Sequence, residues 1–127
     1  MKTILVDAVN TFVIKGKGVF QEMYKLLEKY PNIKIILTNA NDKQMENFGL
    51  NKMPYEVFTL KHNPEKTDPK FFKIMLRHFN LNAKDAIYLE HNLDAVKCAQ
   101  SVGIVALNYD KDKRDLITLK KFIDENL

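Results

Sequence analysis

Four polar positions in this chain of 127 residues stand where apolar runs end or helices begin. Thr3-Ile4-Leu5-Val6 stops at Asp7, Ile33 to Leu37 stops at Thr38, Lys66 precedes a helix start at Asp68-Pro69, and Ala86-Ile87-Tyr88-Leu89 stops at Glu90, with Asp94 shortly after. An apolar run that ends on such a residue reads as a buried strand delivering a functional group to its C-terminal end, the edge where open α/β sheets bind ligands. The order is carboxylate, hydroxyl, ammonium, acidic pair. That set suits phosphoryl transfer: a carboxylate can attack phosphorus, a hydroxyl and backbone amides can hold phosphate oxygens, a lysine can neutralise charge, and paired acids can hold a hard Mg²⁺. Each residue alone is a weak signal, and Asp or Thr after a strand also reads as an ordinary helix cap; their order along one edge carries the signal.

The elements that must position them alternate from end to end. Residues 3–7 give a first strand, Phe12-Val13-Ile14 a short flap strand, and Lys15-Gly16-Lys17-Gly18 a tight turn. Val19, Phe20, Met23, Leu26, Leu27 and Tyr30 recur at helical spacing until Pro31-Asn32. A β-branched run over 33–37 gives the second sheet strand, a polar helix over 41–48 stops at Gly49, and Tyr55 to Leu60 gives the third strand. Asp68 and Pro69 have the N-cap and N1 chemistry of a helix whose apolar face is Phe71, Phe72, Met75, Leu76 and Phe79. A strand over 86–89, a helix over 93–102 ended by Gly103, a strand over 104–107 and an amphipathic helix marked by Leu116, Leu119 and Ile123 complete the pattern. Strands separated by helices imply parallel pairing through right-handed crossovers, hence a three-layer α/β sandwich forming one domain over 1–127.

Composition excludes several classes. The 46% hydrophobic content fits a folded chain, and no apolar stretch approaches the roughly 20 residues that span a bilayer. No signal peptide is visible at the N-terminus. The single cysteine, Cys98, has no internal partner, which fits a reducing cytoplasm, and its place on a helix reads as core packing. The net charge of +4 comes mostly from lysines interspersed with acids, a solvated surface rather than a nucleic-acid patch.

These residues and their order resemble the haloacid dehalogenase-like (HAD) superfamily over nearly the whole chain. Ile4-Leu5-Val6-Asp7-Ala8-Val9-Asn10-Thr11 is similar to its first motif, hydrophobics followed by Asp-x-Asp-x-Thr; Ile35-Ile36-Leu37-Thr38-Asn39 to its second; and Lys66-Thr67-Asp68-Pro69 to its third. Ala86 to Asp94, with Ala99-Gln100-Ser101-Val102-Gly103-Ile104, resembles the fourth. The resemblance implies a Rossmann-like parallel sheet in the order 5-4-1-2-3. It also implies a phosphatase-type hydrolase that works through an aspartyl-phosphate on Asp7. Thr38 and Lys66 would then hold phosphate and nucleophile, with Asn10, Thr11 and Asn39 beside them. Mg²⁺ would be held by Asp7, the Val9 backbone carbonyl, and Glu90 or Asp94. A receiver-like phosphoacceptor domain has similar groups, but it places its acceptor Asp on the third strand and its paired acids on the first.

Two departures qualify that expectation. Val9 stands where the motif has its second Asp, the acid that protonates the leaving group; loss of such help costs about 10²–10⁴-fold, so acyl or aryl phosphates are favoured over alkyl ones. In the fourth motif, a gap-free alignment counted back from Gly103 puts Glu90-His91 on Gly-Asp and Ala95 on the second Asp. A one-residue slip instead matches Glu90-x-x-x-Asp94 to Asp-x-x-x-Asp. His91 is then a candidate replacement acid or metal ligand. The lack of an acid at Val9 is also similar to the family's dehalogenases, which need no metal and enclose their substrate beneath a cap domain. Here 26 residues separate Thr11 from Thr38 and 27 separate Thr38 from Lys66, too few for such a cap. An uncapped site suits a bulky phosphorylated substrate or a partner that acts as lid, and Lys15, Lys17, Lys61 and Lys70 could give its mouth a positive field. The alternative reading is a catalytically weak or inactive domain that binds a phosphorylated ligand or partner protein.

Overall fold

A computed structural model describes residues 1–127. Five strands form one parallel sheet: β1 (Thr3–Asp7), β4 (Lys34–Thr38), β5 (Glu56–Thr59), β6 (Ala86–Glu90) and β7 (Val105–Asn108). The flap is a separate antiparallel pair, β2 (Val13–Ile14) and β3 (Gly18–Val19). The sheet order is β5-β4-β1-β6-β7. The labels differ from 5-4-1-2-3 because the flap adds two numbers; counted among the sheet strands alone, the arrangement is 3-2-1-4-5, the same order read from the other edge. β1 is central, as the resemblance implied.

Two apolar layers sandwich the sheet, and strand alternation sorts the residues between them. Ile4, Val6, Ile36, Ile87 and Leu89 face a cluster with Met23, Leu26 and Leu27 of α1 (Gln21–Leu27) and with Leu119 and Ile123 of α5 (Leu116–Asn126). Leu5, Ile35, Leu37 and Tyr88 face the opposite cluster, built on Phe71, Phe72 and Met75 of α3 (Pro69–His78) and Ala99 of α4 (Leu93–Ser101). Cys98 packs at the margin of this second cluster, as its helical position implied.

Local signals explain most boundaries. The Asp68 carboxylate accepts from the Lys70 N–H at 3.0 Å, with Pro69 at the first helical position of α3. Asn41 and Gln44 form a reciprocal capping box on α2 (Asp42–Asn47). Some ends moved. Val19, expected on a helix, lies in β3, because the Gly16–Gly18 turn returns the chain to pair with Val13 and Ile14. The second sheet strand begins at Lys34, leaving Ile33 69% exposed, and includes Thr38 as its last residue. No helix is long and apolar enough to cross a membrane.

Candidate active site

The parallel register assembles the site. Val6 pairs with Leu89, so one step further along both strands sets Asp7 beside Glu90. Leu5, Asp7, Tyr88 and Glu90 share the face covered by α3 and α4, because side chains two apart on a strand point the same way. Lys66 reaches the same place from the segment ahead of α3. After Asp7 the chain turns back tightly: the Phe12 N–H donates to the Asp7 carbonyl at 3.1 Å and the Val13 N–H to the Ala8 carbonyl at 2.8 Å. Asn10 takes φ +73 in this turn, a conformation Asn tolerates better than most side chains.

Asp7, Lys66 and Glu90 form a buried charged knot. The Lys66 ammonium donates to Asp7 Oδ1, to Glu90 Oε1 at 2.8 Å and to the Leu37 carbonyl at 3.3 Å. The Tyr88 hydroxyl donates to the same Glu90 Oε1. The Asn39 side-chain carbonyl fixes the Lys66 backbone by accepting its N–H at 2.8 Å. On the other side of Asp7, Oδ2 accepts from the Thr11 hydroxyl at 2.8 Å and from His91 Nδ1 at 2.6 Å. Glu90 Oε2 accepts from the Asn92 N–H at 3.1 Å and lies 3.3 Å from His91 Nδ1.

Electrostatics follow from this knot. Burial acts to raise the Asp7 pKa, but Lys66 and the His91 hydrogen bond outweigh it and hold the carboxyl at about 2. Burial and the neighbouring Asp7 charge push Glu90 up, against the opposing pull of Lys66 and Tyr88. Lys66 is raised, because Asp7 and Glu90 overcome the desolvation that burial imposes. The hydrogen bond to Asp7 raises His91. The pair Asp7 and Lys66 is therefore charged across the physiological range.

A cavity of about 240 Å³ opens directly over these groups. Asp7, Val9, Asn10, Thr38, Asn39, Lys66, Glu90 and His91 all line it, so most of the sequence candidates converge. Thr11 does not line it: its side chain is 1% exposed and supports Asp7 instead of facing a substrate. Asp94 stays outside as well. Asn92 caps α4 by accepting from the N–H groups of Asp94 and Ala95, and this capped start leaves Asp94 exposed while Ala95 is buried against the cavity. Ala95, not Asp94, therefore stands at the cavity beside Glu90 and His91. Lys15, Lys17 and Lys70 are exposed away from the cavity lining, and Lys61 pairs with Asp42 at 3.0 Å.

Sequence reasoning missed Tyr88, Gln44, Phe48 and His62. Tyr88 looked like a core strand residue, although its spacing of two from Glu90 placed both on one face. His62 and Gln44 meet across the mouth, Nε2 to Oε1 at 2.6 Å, through a loop contact that carries no pattern in the sequence.

The donor set differs from the one the resemblance implied for Mg²⁺. Asp7, Glu90 and His91 are the groups whose ligand atoms come together, within 4.8 Å of one another. Mg²⁺ takes near-octahedral oxygen ligands; here an imidazole nitrogen stands where the second acid would be, and Asp94 is absent. Asp7, Glu90 and Val9 of the implied Mg²⁺ set do line the cavity, and the His91 nitrogen beside them favours an ion that accepts imidazole.

No family model and no curated protein matches the chain. Solved structures do. A HAD family enzyme from Bacteroides thetaiotaomicron, an aspartate-to-alanine mutant in complex with magnesium and inorganic phosphate, superposes with a TM-score of 0.70 at 13% identity, covering 87% of this chain and 95% of its own. An uncharacterized protein from Corynebacterium glutamicum gives 0.65 at 17% identity over 98% and 96% of the two chains. A hydrolase from Streptococcus pneumoniae gives 0.62 at 14% identity, covering 84% of this chain and 57% of its own. Identities this low speak to architecture, and the architecture is shared throughout: the chain has the fold of the HAD enzymes.

Proposed function

We propose that the protein is a phosphatase-type hydrolase that cleaves phosphoesters or phosphoanhydrides through an aspartyl-phosphate on Asp7. The observation that carries this reading is the buried Asp7, ionised and ion-paired to Lys66, at the floor of a polar cavity. In the first step a carboxylate oxygen of Asp7 bonds to phosphorus, and the leaving oxygen departs with its electron pair. Lys66, the Thr38 hydroxyl and the backbone amides around Asn39 offset the charge on the equatorial oxygens. In the second step water attacks phosphorus, phosphate leaves, and the Asp7 carboxylate is restored. The magnesium–phosphate complex of a neighbour with the same fold supports a phosphate ligand here. Because Val9 offers no proton, the departing group leaves as an anion, so the substrates are acyl or aryl phosphates and turnover is attenuated on alkyl ones. Asp7→Asn is expected to abolish turnover across a panel of phosphate esters; full activity in that variant would overturn the proposal.

A second reading is favoured by one feature. Both oxygens of Asp7 are already engaged, by Lys66 on one side and by Thr11 and His91 on the other. A domain that only binds a phosphorylated ligand would show saturable phosphate binding that Asp7→Asn leaves intact, with no turnover of acetyl phosphate.

A further inference from the structure

We propose that Asp7, Glu90 and His91 form a three-ligand site for a divalent transition ion that accepts imidazole, with Zn²⁺ as the best fit. The site deepens the hydrolase reading at the same cavity and rests on that reading only for what the ion would do, since binding can be measured without turnover.

Each carboxylate has one oxygen held by Lys66 and one turned to His91, and the latter accepts one further hydrogen bond, from the Thr11 hydroxyl on Asp7 Oδ2 and from the Asn92 N–H on Glu90 Oε2. Asp7 Oδ1 and Glu90 Oε1 are both held by the Lys66 ammonium, with Tyr88 also on Glu90. Asp7 Oδ2 and Glu90 Oε2 face His91 Nδ1, at 2.6 and 3.3 Å. Zn²⁺ binds His nitrogen and carboxylate oxygen at about 2.0–2.2 Å, which puts tetrahedral ligand atoms roughly 3.3 Å apart. The Glu90–His91 separation already meets this, and Asp7–His91 must open by less than about 1 Å. Imidazole with two carboxylates suits zinc and its neighbours, whereas magnesium favours oxygen alone.

The surroundings match a ligating site rather than a lone acidic cluster. Glu90 is 0% and Asp7 4% exposed; Lys66 and Tyr88 orient the outer oxygens, and the Thr11 hydroxyl and the Asn92 N–H orient the ligand oxygens. With Lys66, the two acids leave one negative charge, which a divalent ion converts to one positive charge facing the cavity. Three protein ligands leave a fourth position on the cavity side, where a phosphate oxygen or water would bind.

The test is a Co²⁺ titration of the wild-type protein followed by visible absorption, with Zn²⁺ and Mg²⁺ as competitors, and X-ray absorption of the zinc-loaded form. The expected result is one equivalent of Co²⁺ with the intense bands of a four-coordinate site, displaced by stoichiometric Zn²⁺ and not by a large excess of Mg²⁺. X-ray absorption should show one nitrogen and two carboxylate oxygens. His91→Asn should weaken Zn²⁺ by more than the about 10–100-fold that loss of an outer partner costs. His91→Asp should shift preference toward Mg²⁺. Thermal unfolding controls for folding of each variant, and the wild-type spectra decide if a variant does not fold. Equal displacement by Mg²⁺, zinc binding unchanged in His91→Asn, or no stoichiometric ion in the wild type would each overturn the proposal. No stoichiometric ion together with Asp7-dependent turnover would overturn this site and leave the hydrolase reading standing.

Discussion

At the scale of single residues, Asp7 and Val9 set opposite limits on the chemistry. Asp7 is held ionised, but its neighbour two residues on has no proton to give. Rates across a series of aryl phosphates should therefore fall steeply as the leaving group becomes more basic. Val9→Asp should flatten that slope and raise turnover of an alkyl phosphate by about 10²–10⁴-fold; an unchanged slope would show that another group already protonates the leaving oxygen. Asp7 also links stability to pH. Its folded pKa of about 2 lies below the unfolded value of 3.8, so it contributes stability above pH 4 that disappears as pH falls toward 2. The contribution is on the order of 2 kcal/mol, and Asp7→Asn should flatten the acid limb of a urea-stability profile over that interval. Lys66 is the counter-charge for two buried acids. Lys66→Met should cost about 3–5 kcal/mol and lower Tm by roughly 10 °C or more, measured by calorimetry. Asp7, Thr38, Lys66 and Glu90 were legible in the sequence because strand ends and a helix start fix where they emerge. Whether the fourth motif slipped was not legible: it depended on which of Asp94 and Ala95 the Asn92 cap turned inward.

Among the elements, caps and alternation explain why so much of the architecture could be read in advance. Leu5, Asp7, Tyr88 and Glu90 share a face by parity alone, and the Asp68-Pro69 start of α3 was explicit. What could not be read was short-range geometry: the flap pairing that drew in Val19, and the His62–Gln44 contact between two loops. Gly103 shows how an element end is fixed. Its φ is +96, its N–H donates to the Gln100 carbonyl at 3.0 Å, and the Ile104 N–H donates to the Ala99 carbonyl at 3.1 Å, closing α4 before β7. An added Cβ would also sit 3.4 Å from that of Ala83. Gly103→Ala should lower stability by about 1–2 kcal/mol, read by chemical denaturation. Turnover per folded molecule should not change, because this turn lies away from the cavity.

The whole molecule places one cavity at one end of a sheet, with its charged floor buried and its mouth lined by polar groups. The segments between Thr11 and Lys66 contribute the flap, α1, β4, α2 and β5. We expect that arrangement to admit a bulky phosphorylated substrate, so a phosphotyrosine peptide and free phosphotyrosine, which share a leaving group, should be hydrolysed with comparable kcat/KM. A peptide rate lower by orders of magnitude would mean that the mouth excludes large substrates. The net charge of +4 is spread over the surface and Lys61 is paired with Asp42, so surface lysines do not concentrate a positive field at the mouth. The proposed route places phosphate on Asp7 itself during turnover. Acid quenching of the protein while it hydrolyses acetyl phosphate, followed by peptide mass spectrometry, tests this directly: the expected result is phosphate on the peptide containing Asp7, absent from Asp7→Asn, and the contradicting result is continued turnover with Asp7 unmodified.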